Sequence, residues 1–479
     1  MNRPIRRVAV VILIMFGLML GNQTYTIMFR QDDLNSHSAN RRIRDEEFAQ
    51  DRGPILVGQT QIAMTVPSED QFRFQRIYPE GRLYAPITGF YSYDQGSAGL
   101  ESSFNQELAG TDDSQFINRF LDSLTGEVPT GASVETTINA RAQQAAFDGL
   151  GDMKGAVVAL DPRTGAILAL VSTPSYDPNQ IANHNLREAR EAYVELIDDP
   201  DRPMANRAAR EIYPPGSVFK LVTAAAALEN GMTTETLIDS PEQLRLPQTS
   251  IDLGNQLSCG GEQITIEQAL KVSCNTAFAN IALTLGDDVM REEAEKFGFG
   301  SRPLTALNGV ASRYPDDPDL PQTALTGIGQ YDVATTPLQM AMVTAAIANE
   351  GQLFEPHVVA RVRAANLNVI STTRPRLQSQ AMQAPNAQAL AQMMATVVQE
   401  GTGTNARISG HTVGGKTGTA QSAPDRPPYA WFTSYALDTD GEPAVAVAVF
   451  VEDADVPRSE VGGNAVAAPI AKAVMEAVL

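Results

Sequence analysis

Cysteine and histidine are the scarcest reactive residues in this chain of 479, with two of the first (Cys259, Cys274) and four of the second (His37, His184, His357, His411). The histidines are scattered without a His-Glu-x-x-His pattern and the cysteines lack Cys-x-x-Cys spacing. No metal-centred mechanism and no cofactor is therefore expected. Basic runs are equally lacking beyond the N-terminus. With 36 Lys+Arg against 56 Asp+Glu and a formal net charge of -20, nucleic acid is excluded as a partner and a solvated acidic surface is implied.

What the chain does have is length for two or three domains and one long apolar run. Val8 to Met28 carries no charge and follows Arg3, Arg6 and Arg7. About 20 such residues span a bilayer, and the basic flank stays cytoplasmic. No A-x-A-like cleavage site follows, so the run reads as an uncleaved anchor rather than a signal peptide. The expected division is a cytoplasmic tail at 1–7, an anchor at 8–28, an N-terminal pedestal or interaction domain at 29–131 and a larger domain at 132–479, outside the membrane.

Gln31 to Asn40 is polar and linker-like. Ile55 to Val66 reads as one short strand, and the rest of the pedestal as small α+β pieces without a catalytic cluster. After Ala132, Ala156–Leu160 and Ala166–Val171 flank the turn Asp161-Pro162-Arg163-Thr164-Gly165 and predict a hairpin. From about Asn183 to Glu400 helix dominates, with starts signalled by Thr265-x-x-Gln268 and by Pro337. Strands return at Gly414–Ala420, Ala430–Ala436 and Ala444–Val451, and a helix from Ala467 ends the chain. Strands at both ends with helices between them imply one antiparallel sheet built from the two ends of the domain, with the helical insertion on one face.

The stretch Pro214-Pro215-Gly216-Ser217-Val218-Phe219-Lys220 opens the most apolar helix of that insertion. Residues three apart share a helix face, so Ser217 and Lys220 are expected side by side. A lysine in apolar surroundings is driven toward its neutral form, and a Ser-Lys pair activates a hydroxyl without histidine. Alone, the pair is better read as a helix N-terminus with a capping serine and a surface lysine.

Two further motifs remove that ambiguity: Ser273-Cys274-Asn275 and Lys416-Thr417-Gly418. In this order with Ser217-x-x-Lys220 they match the signature of penicillin-binding proteins and class A β-lactamases. The chain resembles the class B penicillin-binding proteins through the membrane segment, Arg52-Gly53-x-Ile55, Asn206-Arg207-Ala208, Tyr213-x-Pro215-Gly216-Ser217-x-Phe219-Lys220 and Thr336-Pro337-Leu338-Gln339. Its compact length, Tyr78-Pro79 and Gly89-Phe90-Tyr91 look most like an actinobacterial cell-division member. The resemblance implies an α+β transpeptidase fold with a five-stranded antiparallel sheet flanked by helices. It also implies a serine D,D-transpeptidase that crosslinks peptidoglycan stem peptides and is inhibited by β-lactams.

By that resemblance Ser217 is the nucleophile, Lys220 its base and Ser273 a proton relay. Asn275 holds the substrate peptide, while Lys416, Thr417, Gly418 and Thr419 bind its terminal carboxylate and backbone. The N–H groups of Ser217 and Thr419 form the oxyanion hole. Cell-division and glycosyltransferase proteins are the implied partners. Residues 311–318 contain no Glu-x-x-x-Asn to place a hydrolytic water, so slow deacylation is expected. A D,D-carboxypeptidase or β-lactamase-type hydrolase, and a β-lactam-sensing receptor, are the rival readings; only seven residues precede Val8, too few for an output domain. Cys259 and Cys274 lie outside the membrane, where a disulfide persists. A bridge would brace the segment carrying Ser273 and Asn275, but sequence leaves the pairing open.

Overall fold

The computed structural model describes residues 3–30, 41–112, 130–420, 428–454 and 462–479. The polar stretch 31–40, read as a linker, lies outside the described residues.

Helix α1 (Arg3–Phe29) is long and apolar enough to cross a membrane. It begins five residues before the uncharged run, so Arg3, Arg6 and Arg7 sit in its first turns. After residue 41 the chain builds β1 (Ile55–Val57), β2 (Thr60–Pro67), β3 (Phe74–Ile77) and helix α2 (Gly81–Thr88). Ile55–Val66, expected as one strand, is a hairpin: Gly58 takes φ +58°, open to glycine at little cost, and β2 pairs back onto β1. Beneath it Glu101, fully buried, receives Arg52 Nε and Arg76 Nε at 2.6 Å each and the Tyr78 hydroxyl at 3.1 Å.

Strand β4 (Ser133–Thr136) lies parallel to β1, and helix α3 (Ala140–Leu150) follows, capped by Asn139. Strands β5 (Lys154–Leu160) and β6 (Ile167–Thr173) are the expected hairpin. The insertion supplies α4 (Lys220–Glu229), α5 (Ile266–Lys271), α6 (Asn275–Leu285) and α7 (Pro337–Ala348). Thr265 and Thr336 cap α5 and α7, each accepting an N–H with its hydroxyl.

The insertion is less helical than expected. Four short strands, β7 (Leu237–Asp239), β8 (Gln243–Arg245), β9 (Asp252–Gly254) and β10 (Gln263–Thr265), form two small hairpin-like pairs. Strands β11 (Val359–Arg363) and β12 (Val369–Thr372) join the N-terminal sheet, whose order is β12-β11-β4-β1-β2-β3. These segments carry weak local patterns, and β11 finds its second partner far away in sequence, as when Val359 pairs with Thr136.

The second sheet is five-stranded and wholly antiparallel. Strands β13 (Val413–Ala420), β14 (Tyr429–Leu437) and β15 (Pro443–Asp453) continue into β5 and β6. Both faces are covered, and alternate residues divide between them. Val447, Val449 and Val451 pack against α3 and the C-terminal helix α8 (Ala468–Val478). Ala446, Ala448 and Phe450 join the core that holds α4 and α7.

Candidate active site

Ser217 sits in a tight 3-10 turn, Gly216–Phe219, that runs into α4. The preceding segment is held by main-chain bonds: Tyr213 exchanges both with Thr335 at 2.8 Å, and Gly216 N–H donates to Gly329 O at 3.0 Å. Trp431, the single tryptophan, is fully buried in β14 and donates its Nε1–H to Pro214 O at 3.0 Å. No local signal in the sequence pointed to that clamp.

Strand β13 passes the same turn. A Cβ on Gly418 would stand 3.0 Å from Val218 Cγ1, 3.2 Å from Pro215 O and 2.9 Å from the Trp431 Cβ. The missing side chain thus seats the strand against the serine turn. Thr417 Oγ1 lies 2.7 Å from Thr402 Oγ1, and Thr419, half-buried, follows on the strand.

Between α5 and α6, Ser273 adopts a left-handed backbone at φ +59°. Its hydroxyl stands 2.8 Å from Lys416 Nζ and 3.2 Å from Lys220 Nζ. Lys220 also donates to Ser273 O at 2.7 Å and Asn275 Oδ1 at 2.8 Å. None of these Lys220 bonds goes to Ser217. Among the described residues Ser217 Oγ has no hydrogen-bond partner. The lysine instead satisfies itself on the facing segment, which offers three acceptors where the serine offers one.

Both lysines are completely buried. Burial, and secondarily the neighbouring Lys416, holds Lys220 well below the ordinary lysine range. Burial alone pushes Lys416 down to about 7. A neutral Lys220 has two N–H donors and one lone pair. Ser273 O and Asn275 Oδ1 take the two donors, which leaves the lone pair for a hydroxyl proton, and Ser273 Oγ lies 3.2 Å away. Lys416 then supplies a proton to the other side of that oxygen, so one hydroxyl links two nitrogens. Such an arrangement moves a proton without a histidine.

Asn275 opens α6. Its Nδ2 donates to Gly254 O at 3.0 Å, which fixes the amide while one N–H stays uncommitted. Cys274 is joined to Cys259 in a disulfide, with Cα atoms 5.4 Å apart, so the 252–263 segment is tied to Ser273 and Asn275 covalently and by hydrogen bonds. Asn255, which sequence reasoning did not single out, lies within it.

The chain matches the penicillin binding protein transpeptidase domain over residues 155–476 and the penicillin binding protein A dimerisation domain over residues 52–134. The peptidoglycan D,D-transpeptidase PbpA of Mycolicibacterium smegmatis is 40% identical over all of this chain and 99% of its own length. The protein of the same name in Mycobacterium tuberculosis is also 40% identical, with the same coverage. Penicillin-binding protein A from M. tuberculosis, solved as its ceftriaxone acyl-enzyme, superposes with a TM-score of 0.88 at 40% identity, covering 91% of this chain and 100% of that one. Its penicillin G acyl-enzyme gives 0.85 at the same identity, covering 89% and 99%.

Proposed function

Because the chain belongs to the penicillin-binding protein transpeptidase family, we propose that it is a peptidoglycan D,D-transpeptidase working through a serine acyl-enzyme in wall synthesis and cell division. The observation that carries the reading is Ser273 Oγ held between Lys220 Nζ and Lys416 Nζ at the end of the serine turn. Ser217 Oγ attacks the carbonyl of a terminal D-Ala-D-Ala bond, and its proton passes to Lys220. Ser273 relays that proton to the departing D-alanine nitrogen as the C–N bond breaks. The N–H groups of Ser217 and Thr419 take the oxyanion. Strand β13 forms one edge of the five-stranded sheet, so an extended substrate adds to it as a further strand. Lys416 and Thr417, with Thr419, meet its carboxylate, and Asn275 meets its backbone with the free amide N–H. An amine of a second stem peptide then attacks the ester and releases Ser217. β-Lactams acylate the same serine and stay.

Helix α1 anchors the protein by a single pass with residues 29–131 and 132–479 outside the cytoplasm. Its partners there are cell-division and glycosyltransferase proteins. Intact-mass measurement after incubation with a labelled penicillin tests the assignment. One adduct on Ser217, absent from Ser217→Ala, is expected; no adduct, or one retained in the variant, overturns it. Incubation with a stem peptide and an amine acceptor separates transfer from hydrolysis, and hydrolysis alone would favour the carboxypeptidase reading.

A further inference from the structure

Helix α6 carries Asn275 in its first position, yet its N-cap residue, Cys274, makes no side-chain cap bond because its sulfur is committed to Cys259. The first N–H groups of a helix have no partner inside it and need one from elsewhere. Asn255, 20 residues upstream of Asn275, supplies it. Its Oδ1 accepts from Asn275 N at 2.8 Å and Thr276 N at 3.0 Å. Its Nδ2 donates to Pro241 O and to Thr276 Oγ1, both at 3.1 Å. The residue before it, Gly254, accepts the Asn275 side-chain amide. One short segment therefore grips Asn275 by backbone and side chain together.

The grip bears on catalysis through Ser273. A non-glycine residue at φ +59° is strained and keeps that shape only where its surroundings impose it. Ser273 O and Oγ both meet Lys220, and Oγ also meets Lys416. If the start of α6 shifts, both oxygens leave the lysines. We infer that Asn255 is a positioning residue for acylation, a surrogate cap that fixes Ser273 and Asn275 against Lys220 without touching substrate.

The inference rests on the acyl-transfer reading and is tested on the full-length protein in detergent with a fluorescent penicillin. Stopped-flow measurement separates non-covalent binding from the acylation rate constant. Asn255→Ala is expected to slow acylation about 100-fold, the scale of an ångström-sized misplacement, with binding nearly unchanged. Asn255→Asp keeps both acceptor contacts and is expected to recover most of that loss. If the Ala variant does not fold, Asn255→Ser, too short to reach both N–H groups, replaces it with the same expectation. Acylation at the wild-type rate in the Ala or Ser variant, an Asp variant as slow as that variant, or a loss confined to binding would each overturn the role. A wild-type protein that takes no label on Ser217 would instead fail the acyl-transfer reading, whatever Asn255 does.

Discussion

Replacing Lys416 with methionine separates what the buried cation does for the reaction from what it costs the fold. Lys416 is fully buried, and burial lowers its folded pKa to about 7 from an unfolded value of 10.5. Above 10.5 the side chain is neutral in both states and costs nothing. As pH falls, the unfolded chain takes up the proton first, so stability drops steadily until the folded state also protonates near 7. At about 1.4 kcal/mol per pKa unit the full penalty is roughly 5 kcal/mol, reached below pH ~7. Between pH ~6 and pH ~9 the wild type should gain about 2–3 kcal/mol from this group alone. Lys416→Met removes that gain, while the other groups titrating in this window remain in both proteins. Removing Lys416 also relieves Lys220, whose pKa is lowered by burial and then by Lys416. That raises the folded pKa of Lys220 and flattens the variant's pH dependence further. The assay is equilibrium chemical denaturation of both proteins at the two pH values. The wild type should steepen relative to the variant by at least the stated amount, and the variant should be at least as stable at pH ~6 while losing penicillin acylation. Equal pH dependence in the two proteins would refute the claim that Lys416 is a buried, easily neutralised cation.

Glu101→Ala strands Arg52 and Arg76, buried partners of one carboxylate. It should cost about 3–5 kcal/mol in denaturation, and a loss below ~1 kcal/mol would show the cluster is not needed. Replacing both Cys259 and Cys274 by serine opens a bridge of sequence separation 15. The expected loss is about 3 kcal/mol from the freed unfolded chain, and an unchanged denaturation midpoint would contradict it. Gly418→Ala places a methyl 2.9 Å from the Trp431 Cβ and 3.0 Å from Val218 Cγ1. Overpacking of that kind costs about 1–3 kcal/mol and should displace the serine turn, so acylation by penicillin should slow, and an unaffected rate would show that the strand yields instead.

The catalytic sheet was legible because its strands are local and strongly patterned. The turns Asp161–Gly165 and Asp438–Gly441 sit between runs of small and β-branched residues, and both hairpins form there. The three motifs were legible as chemistry, and the structure gathers Lys220, Ser273, Asn275 and Lys416 within hydrogen-bond distance. Their mutual contacts were not legible. Helical spacing places Ser217 near Lys220, but the lysine's choice of acceptor depends on a segment more than 50 residues away. Strand β11 escaped notice because its second edge is completed by β4, from the far side of the catalytic sequence, and β12 because it pairs only with β11. Asn255 escaped because a surrogate cap leaves no mark in the helix that it serves.

That same distant pairing decides how the N-terminal and catalytic parts relate. The six-stranded sheet draws β1, β2 and β3 from before residue 80 and β4, β11 and β12 from after residue 132, so the expected boundary at Ala132 runs through shared hydrogen bonds. Ile55 pairs with Val134 and Leu56 with Glu135. A second seam lies at Gln143, fully buried on α3. Its Nε2 donates to Leu83 O of α2 at 2.9 Å and to Leu170 O of β6 at 3.0 Å, while its Oε1 accepts from Leu170 N at 2.8 Å. Pulling the two parts apart would break the contact that crosses the seam, Gln143 Nε2 to Leu83 O, and leaving that buried pair unmade costs about 1–3 kcal/mol. A hinge there is therefore disfavoured. The N-terminal part is thus joined to the catalytic sheet by side-chain and main-chain bonds at Gln143 and β6 as well as by the chain itself.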